Sequence, residues 1–221
     1  VRDVAGILDK LSQSWDDDLA LELFWEELHH QNDIYPVTYA ALPWVWEIAP
    51  GPSQGTLEPL LFYSHVVKCA LAPWGTGPDR QRPREGRYRG LSLRHEDHAF
   101  SWVPADQRLV VDDMPVLQAL ESWFTGFARN VSALCLEAFP KEDQGLAAHL
   151  SVGVLALHGG FSASLAVVFW SEGEDMAFIL EEAPPDNLTE RSAALKMAAL
   201  IEDRNIEFAK FLRTWVAAHQ P

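Results

Sequence analysis

The sequence contains no uninterrupted apolar run of the roughly 20 residues needed to cross a bilayer as a helix. Its longest apolar stretch, Leu146 to Trp170, is broken by Ser151, His158, Gly159 and Gly160, so no membrane partner is expected. The first residues from Val1 onward have neither the basic start nor the apolar core of a secretion signal. Cysteine is scarce. Cys69 and Cys135 lie in apolar surroundings with no CxxC spacing, which excludes a disulfide scaffold and suits buried thiols in a reducing cytoplasm. Basic residues are also few, 17 against 32 acidic, and the formal charge is −15. A field of that sign repels polyphosphate, so general nucleic-acid binding is disfavoured. Phosphate-binding signatures are missing as well: there is no GxxxxGK[ST], and Gly75-Thr76-Gly77-Pro78 does not open a helix after a strand.

What is present is apolar and aromatic. Apolar residues make up 48% of 221, with 11 Phe and 9 Trp, and that much aromatic surface leaves water only by packing in a core. One helical domain over 1–221 accommodates it.

Periodicity points to helices. Between Asp16 and Gln31, Leu21, Phe24, Trp25 and Leu28 fall at i, i+3, i+4 and i+7, the apolar stripe of an amphipathic helix whose leading aspartates complement its dipole. Pro36 suits a first helical position, and Val37, Ala41, Trp44, Val45 and Ile48 share a face on the helix that follows. Pro43 interrupts its hydrogen bonding and Pro50-Gly51-Pro52 stops it. A third apolar segment runs from Thr56 to Ala72. A strong helix opens near Asp112-Asp113 and Pro115, with Val116, Leu120, Trp123, Phe124, Phe127, Val131, Leu134 and Ala138 on one stripe. Leu146, Leu150, Val154 and Leu157 mark another, closed by His158-Gly159-Gly160 in the manner of a glycine C-cap. Phe161 to Trp170 reads as helix or buried strand, because Val167-Val168-Phe169 favours a strand locally while the context is helical. Asp175 to Glu182 is a short helix cut by Pro184-Pro185, and Leu188 to Ala218 is one long helix or two broken near Asp203.

The run Leu21-Glu22-Leu23-Phe24-Trp25-Glu26-Glu27-Leu28-His29-His30-Gln31, followed by Ile34-Tyr35-Pro36-Val37-Thr38-Tyr39-Ala40-Ala41-Leu42-Pro43, resembles the helix-turn-helix unit of bacterial HEAT-like repeat proteins. The likeness covers about residues 16–50 and no second clean copy follows. It implies an all-α fold of stacked helix pairs, an alpha-alpha superhelix, here carrying a long irregular insertion at 73–113. It also implies a family made largely of interaction proteins.

Candidate sites are few. His95-Glu96-Asp97-His98 has metal-binding residue types, but the spacing is not the i, i+4 histidine pair of a zincin helix. His29-His30 fit a helix C-terminus, where they interact with the last carbonyls. His65, His149, His158 and His219 have no adjoining nucleophile arrangement. The Asn130-Val131-Ser132 sequon falls inside a helix, where glycosylation is not expected. No catalytic set, metal site or cofactor is therefore assigned. Trp44 and Trp46 are two apart on one helix and cannot both face the same core, which leaves Trp46 partly exposed near a groove as a binding residue.

The insertion is the unusual feature. Residues 80–94 hold Arg80, Arg82, Arg84, Arg87, Arg89 and Arg94 against one Glu, a local charge of +5. Guanidinium groups bind carboxylate or phosphate in bidentate fashion. They either fold back on the protein's own acidic surface or meet an acidic partner. Two functions follow: a non-enzymatic protein-binding module in the cytoplasm, including an immunity or antitoxin-type partner, or a DNA-acting, glycosylase-like HEAT enzyme that grips duplex through the arginines.

Overall fold

The computed structural model describes residues 3–30, 33–34, 36–71 and 114–218. The chain is all-α. Its helices are α1 (Val4–Gln13), α2 (Asp17–Glu22), α3 (Pro36–Ile48), α4 (Glu58–Leu71), α5 (Met114–Glu137), α6 (Gln144–Leu157), α7 (Phe161–Ser171), α8 (Met176–Glu182), α9 (Leu188–Ile201) and α10 (Ile206–Ala217). The only extended pairing among the described residues is a two-residue antiparallel ladder, His29–His30 with Asp33–Ile34. The insertion at 73–113, with its six arginines and the His95-Glu96-Asp97-His98 run, lies outside the described residues.

Acid supplies many of the helix starts. Asp3, Asp16, Asp143 and Asp175 each accept a hydrogen bond from the backbone N–H three residues on, as Asn187 and Asn205 do for α9 and α10. These caps satisfy N–H groups that the helix itself leaves unpaired, and the carboxylates also sit at the positive end of the dipole. Part of the acidic surplus is thus structural. Helix α6 ends in the opposite way, with Gly159 at φ +82°. There Gly159 N donates to the Ala156 carbonyl and Gly160 N to that of Leu155, the paired bonds of a Schellman turn, which a left-handed glycine permits.

Contacts among the described residues divide the chain into two compact units. One is drawn from Val1–Glu58 and Ala72–Phe127, the other from Pro59–Leu71 and Ala128–Pro221.

The first unit contains α1, α2, α3 and the start of α5. Helix α1 lies ahead of the first predicted helix; its signal is the Asp3 cap followed by Val4, Ile7 and Leu11, all buried. The predicted stripe at 21–28 needs correction. Ala20, Leu23, Phe24 and Leu28 are buried, whereas Leu21 is 38% exposed and Trp25 only half-buried. The helix widens into a π turn at Leu23–Glu27, where Leu28 N donates to the Leu23 carbonyl five residues back. In a regular α-helix the residue one turn beyond Leu23 is Glu27, and the extra residue of the π turn places Leu28 there instead. A carboxylate is kept from the core and a leucine enters it. His29 is also corrected: it lies in the short ladder rather than at a helix end, is buried, and meets the Trp25 ring edge-on at 5.4 Å. Thr38 on α3 donates its hydroxyl to the Leu28 carbonyl, which satisfies a buried acceptor left by the end of the π turn.

The second unit holds α4, the end of α5 and α6 to α10. The most extensive packing is of α6 with α7 and of α9 with α10; α7 also meets α8, and α9 meets α6 and α7. Residues 161–170 are helical, α7, and of the apolar Val167-Val168-Phe169 run Val167 is buried while Val168 and Phe169 are half-buried. The last segment is two helices, broken at residues 202–205. Asn205 holds the break: it is buried, caps α10 through Oδ1 and donates from Nδ2 to the Pro140 carbonyl at 3.1 Å. On α10, Phe208, Leu212, Trp215 and Val216 are buried as their spacing predicts. The indole of Trp215 is paired, donating to the Ala183 carbonyl at 2.9 Å, as a buried indole requires.

Where α4 and α6 cross, there is no room for a side chain. A Cβ on Gly153 would lie 2.6 Å from the Ser64 carbonyl oxygen. The Ser64 hydroxyl donates to the Leu150 carbonyl and accepts from Gly153 N. It also bonds the Cys135 thiol, whose pKa burial pushes up to about 12, so this cysteine is an inert core residue. Cys69 and Cys135 are both buried and form no disulfide.

Candidate functional site

Two surfaces carry side chains suited to recognition or chemistry, one in each unit.

In the first unit the surface is α3. Thr38, Tyr39, Ala41, Leu42 and Val45 are buried, which fixes the rotation of the helix. At 100° per residue, Trp44 then falls outside the buried stripe. It is 67% exposed, a correction to the face predicted for it with Ala41 and Val45. Leu42 and Val45, on the buried side of the helix, take the core, and Trp44 is left outward between exposed Ala40 and Glu47. Trp46, the predicted binding residue, is half-buried. Its ring meets Phe127 edge-on at 5.3 Å, and Phe127 in turn stacks on Trp123 at 4.9 Å with 21° between planes. Trp46 thus anchors an aromatic cluster from one side while keeping part of its indole accessible. The other predicted binding residues, Arg80, Arg82, Arg84, Arg87, Arg89 and Arg94, lie outside the described residues.

In the second unit the surface is a polar strip on α4, comprising His65, Lys68 and Cys69. Residues at i, i+3 and i+4 stand over one another on a helix. Cys69 is buried, whereas His65 and Lys68 are half-buried. Burial pushes the Lys68 ammonium below its ordinary pKa, and Coulombic interaction with the neighbouring Cys69 opposes that shift. Close by, burial raises the phenol of Tyr63 well above its ordinary value. This strip had a signal in the sequence, a histidine four residues before a cysteine within a helical segment. Composition hides it, because each residue alone reads as an ordinary core or surface position.

Elsewhere the titratable groups serve the fold. Buried Glu190 on α9 accepts from the backbone N–H groups of Phe161 and Ala163 at 3.1 and 3.3 Å. The residue at the N-cap position of α7, Gly160, has no side chain to do this. Burial raises the Glu190 carboxyl above its ordinary pKa, and the N–H groups oppose that rise. His158, at the end of α6, is lowered by burial and by the nearby Lys196 charge. Exposed Glu202 and Arg213 form a bidentate ion pair at 2.7 and 2.8 Å.

No helix among the described residues is long and apolar enough to cross a membrane. Comparison of the chain with protein-family models, with curated proteins and with solved structures finds no match.

Proposed function

We propose that this chain is a non-enzymatic protein-binding module of the HEAT-like type, with α3 as a contact surface. The observation that carries this reading is the 67% exposure of Trp44. Left in water, an indole gives up a large apolar contact area, and tryptophan is among the residues most enriched at the energetic centres of interfaces. Trp46 next to it is rigidified by Phe127, so the surface is pre-organised and binding orders little. The packing of α6 with α7 and α9 with α10 supports the helix-pair architecture in which such surfaces are common. In the narrower form of the proposal, the partner is a basic toxin-like protein in the bacterial cytoplasm, drawn by the charge of −15. Arg80 to Arg94 then engage an acidic patch on the partner.

The test is affinity capture by wild-type chain and by Trp44→Ala, followed by titration of the partner recovered. Loss of an interface-centre tryptophan costs at least about 2 kcal/mol, or roughly thirtyfold in affinity. Equal retention by the two chains sinks the role of α3. Recovery of no partner at low or physiological salt sinks the binding-module reading.

A further inference from the structure

We propose that His65 and Cys69 on α4 form the protein half of a binding site for a soft or borderline divalent cation, with zinc the best chemical match. The two stand four residues apart on one helix, the spacing at which two side chains of a helix reach one ion in the histidine pairs of zinc peptidases. A ring nitrogen of His65 and the Cys69 sulfur already lie within 4.8 Å of one another. Bonded to a single Zn2+ at ordinary lengths, about 2.0 Å to nitrogen and about 2.3 Å to sulfur, a tetrahedral pair of donors is about 3.6 Å apart. Closing that gap takes a rotation of side chains, not a movement of the helix.

The donor set is also selective. One imidazole and one thiolate favour zinc, cobalt or copper(I) over magnesium or calcium, which take oxygen ligands. Buried Phe62 and Val66 flank the pair on α4. Cys69 therefore differs from Cys135, whose thiol faces the Ser64 hydroxyl in the core and has no imidazole one turn away on its own helix, where that position is Val131.

The test uses the full chain, Co2+ as a spectroscopic probe and Zn2+ as competitor. Expected are a thiolate-to-cobalt charge-transfer absorption that saturates at one equivalent and is abolished by Zn2+, retained in Cys135→Ala and lost in Cys69→Ala. His65→Gln weakens the site at least about tenfold. Absence of the absorption in wild-type chain, its survival in Cys69→Ala, or its loss in Cys135→Ala overturns the proposal. Far-ultraviolet circular dichroism checks that each variant is folded. If Cys69→Ala does not fold, thiol titration decides. Zn2+ must protect one of the two thiols in wild-type chain and fail to do so in His65→Gln at the same concentration, and equal protection in both overturns the assignment.

Discussion

The helices α6, α7 and α9 bury their apolar surface by a different means from the helices of the first unit. In the first unit, helices meet through large rings: Trp15 on Phe24, Tyr39 on Phe124, and Trp46 and Trp123 on Phe127. In the second, rings join α7, α8 and α10, with Phe169 on Phe178 and Trp170 on Phe208 and Phe211, but α6, α7 and α9 meet through small residues, among them Ala147, Ala148, Gly153, Ala163, Ala166, Ala193 and Ala194, all of them in helices. Rings fill space with few atoms of backbone nearby and shift against one another at modest cost. Small residues bring backbones together, so polar backbone groups come close to side chains of the next helix, and hydroxyls and a carboxylate are buried to meet them. Ser64, Ser164 and Glu190 each bond backbone of another element. The first kind of packing is forgiving of shape, whereas the second is forgiving of nothing larger than hydrogen at its closest points.

This contrast can be broken by substitution. Gly153→Ala should be the most damaging small change, costing about 3 kcal/mol, the upper part of the overpacking range, because the atom it strikes belongs to the Ser64 backbone and cannot swing aside. Phe124→Leu in the ring-packed unit should cost only about 1 kcal/mol. Urea unfolding of the two variants side by side is the measurement, and a greater loss for Phe124→Leu than for Gly153→Ala would reverse the argument.

A smaller effect is expected from pH. The Glu190 carboxyl titrates above its ordinary value of 4.5 in the folded chain. In the window just above that value the native state binds more protons than the unfolded state, so its contribution to stability is present below 4.5 and is lost as pH rises through the folded pKa. Glu190→Gln, uncharged throughout, should flatten that part of the stability–pH curve. An unchanged slope in the variant would show that the carboxyl is not the group responsible. The smallest effect belongs to Trp44→Ala, which should alter stability by less than about 0.5 kcal/mol, because the exposed indole packs little in the isolated chain. A thermal midpoint shifted by many degrees would mean that Trp44 is structural, and the binding role proposed for α3 would fall with it.

Much of the local structure was legible because helix signals are written within a few residues. The Asp143 and Asp175 caps, Pro36 opening α3, the glycine after α6 and the stripe of α10 all lie within one or two turns of what they control. The rotation of α2 and α3 was harder. Leu19, Leu21 and Leu23 alternate through α2, so more than one apolar stripe fits the same letters, and the π turn that admits Leu28 has no marker of its own. The exposed face of α3 was half legible: tryptophans two apart on a helix imply that one faces out, but not which.

By itself the sequence determined that the chain forms helices, roughly where most of those after α1 begin and end, and that its excess acid stands partly at their N-termini, since backbone N–H groups and dipoles act over one turn. Only the tertiary structure decided which face of each helix is core, because that choice depends on the volume offered by neighbouring elements. It decided as well that Glu190, some 27 residues beyond Ala163, caps α7, and that Trp44 rather than Trp46 stands in water.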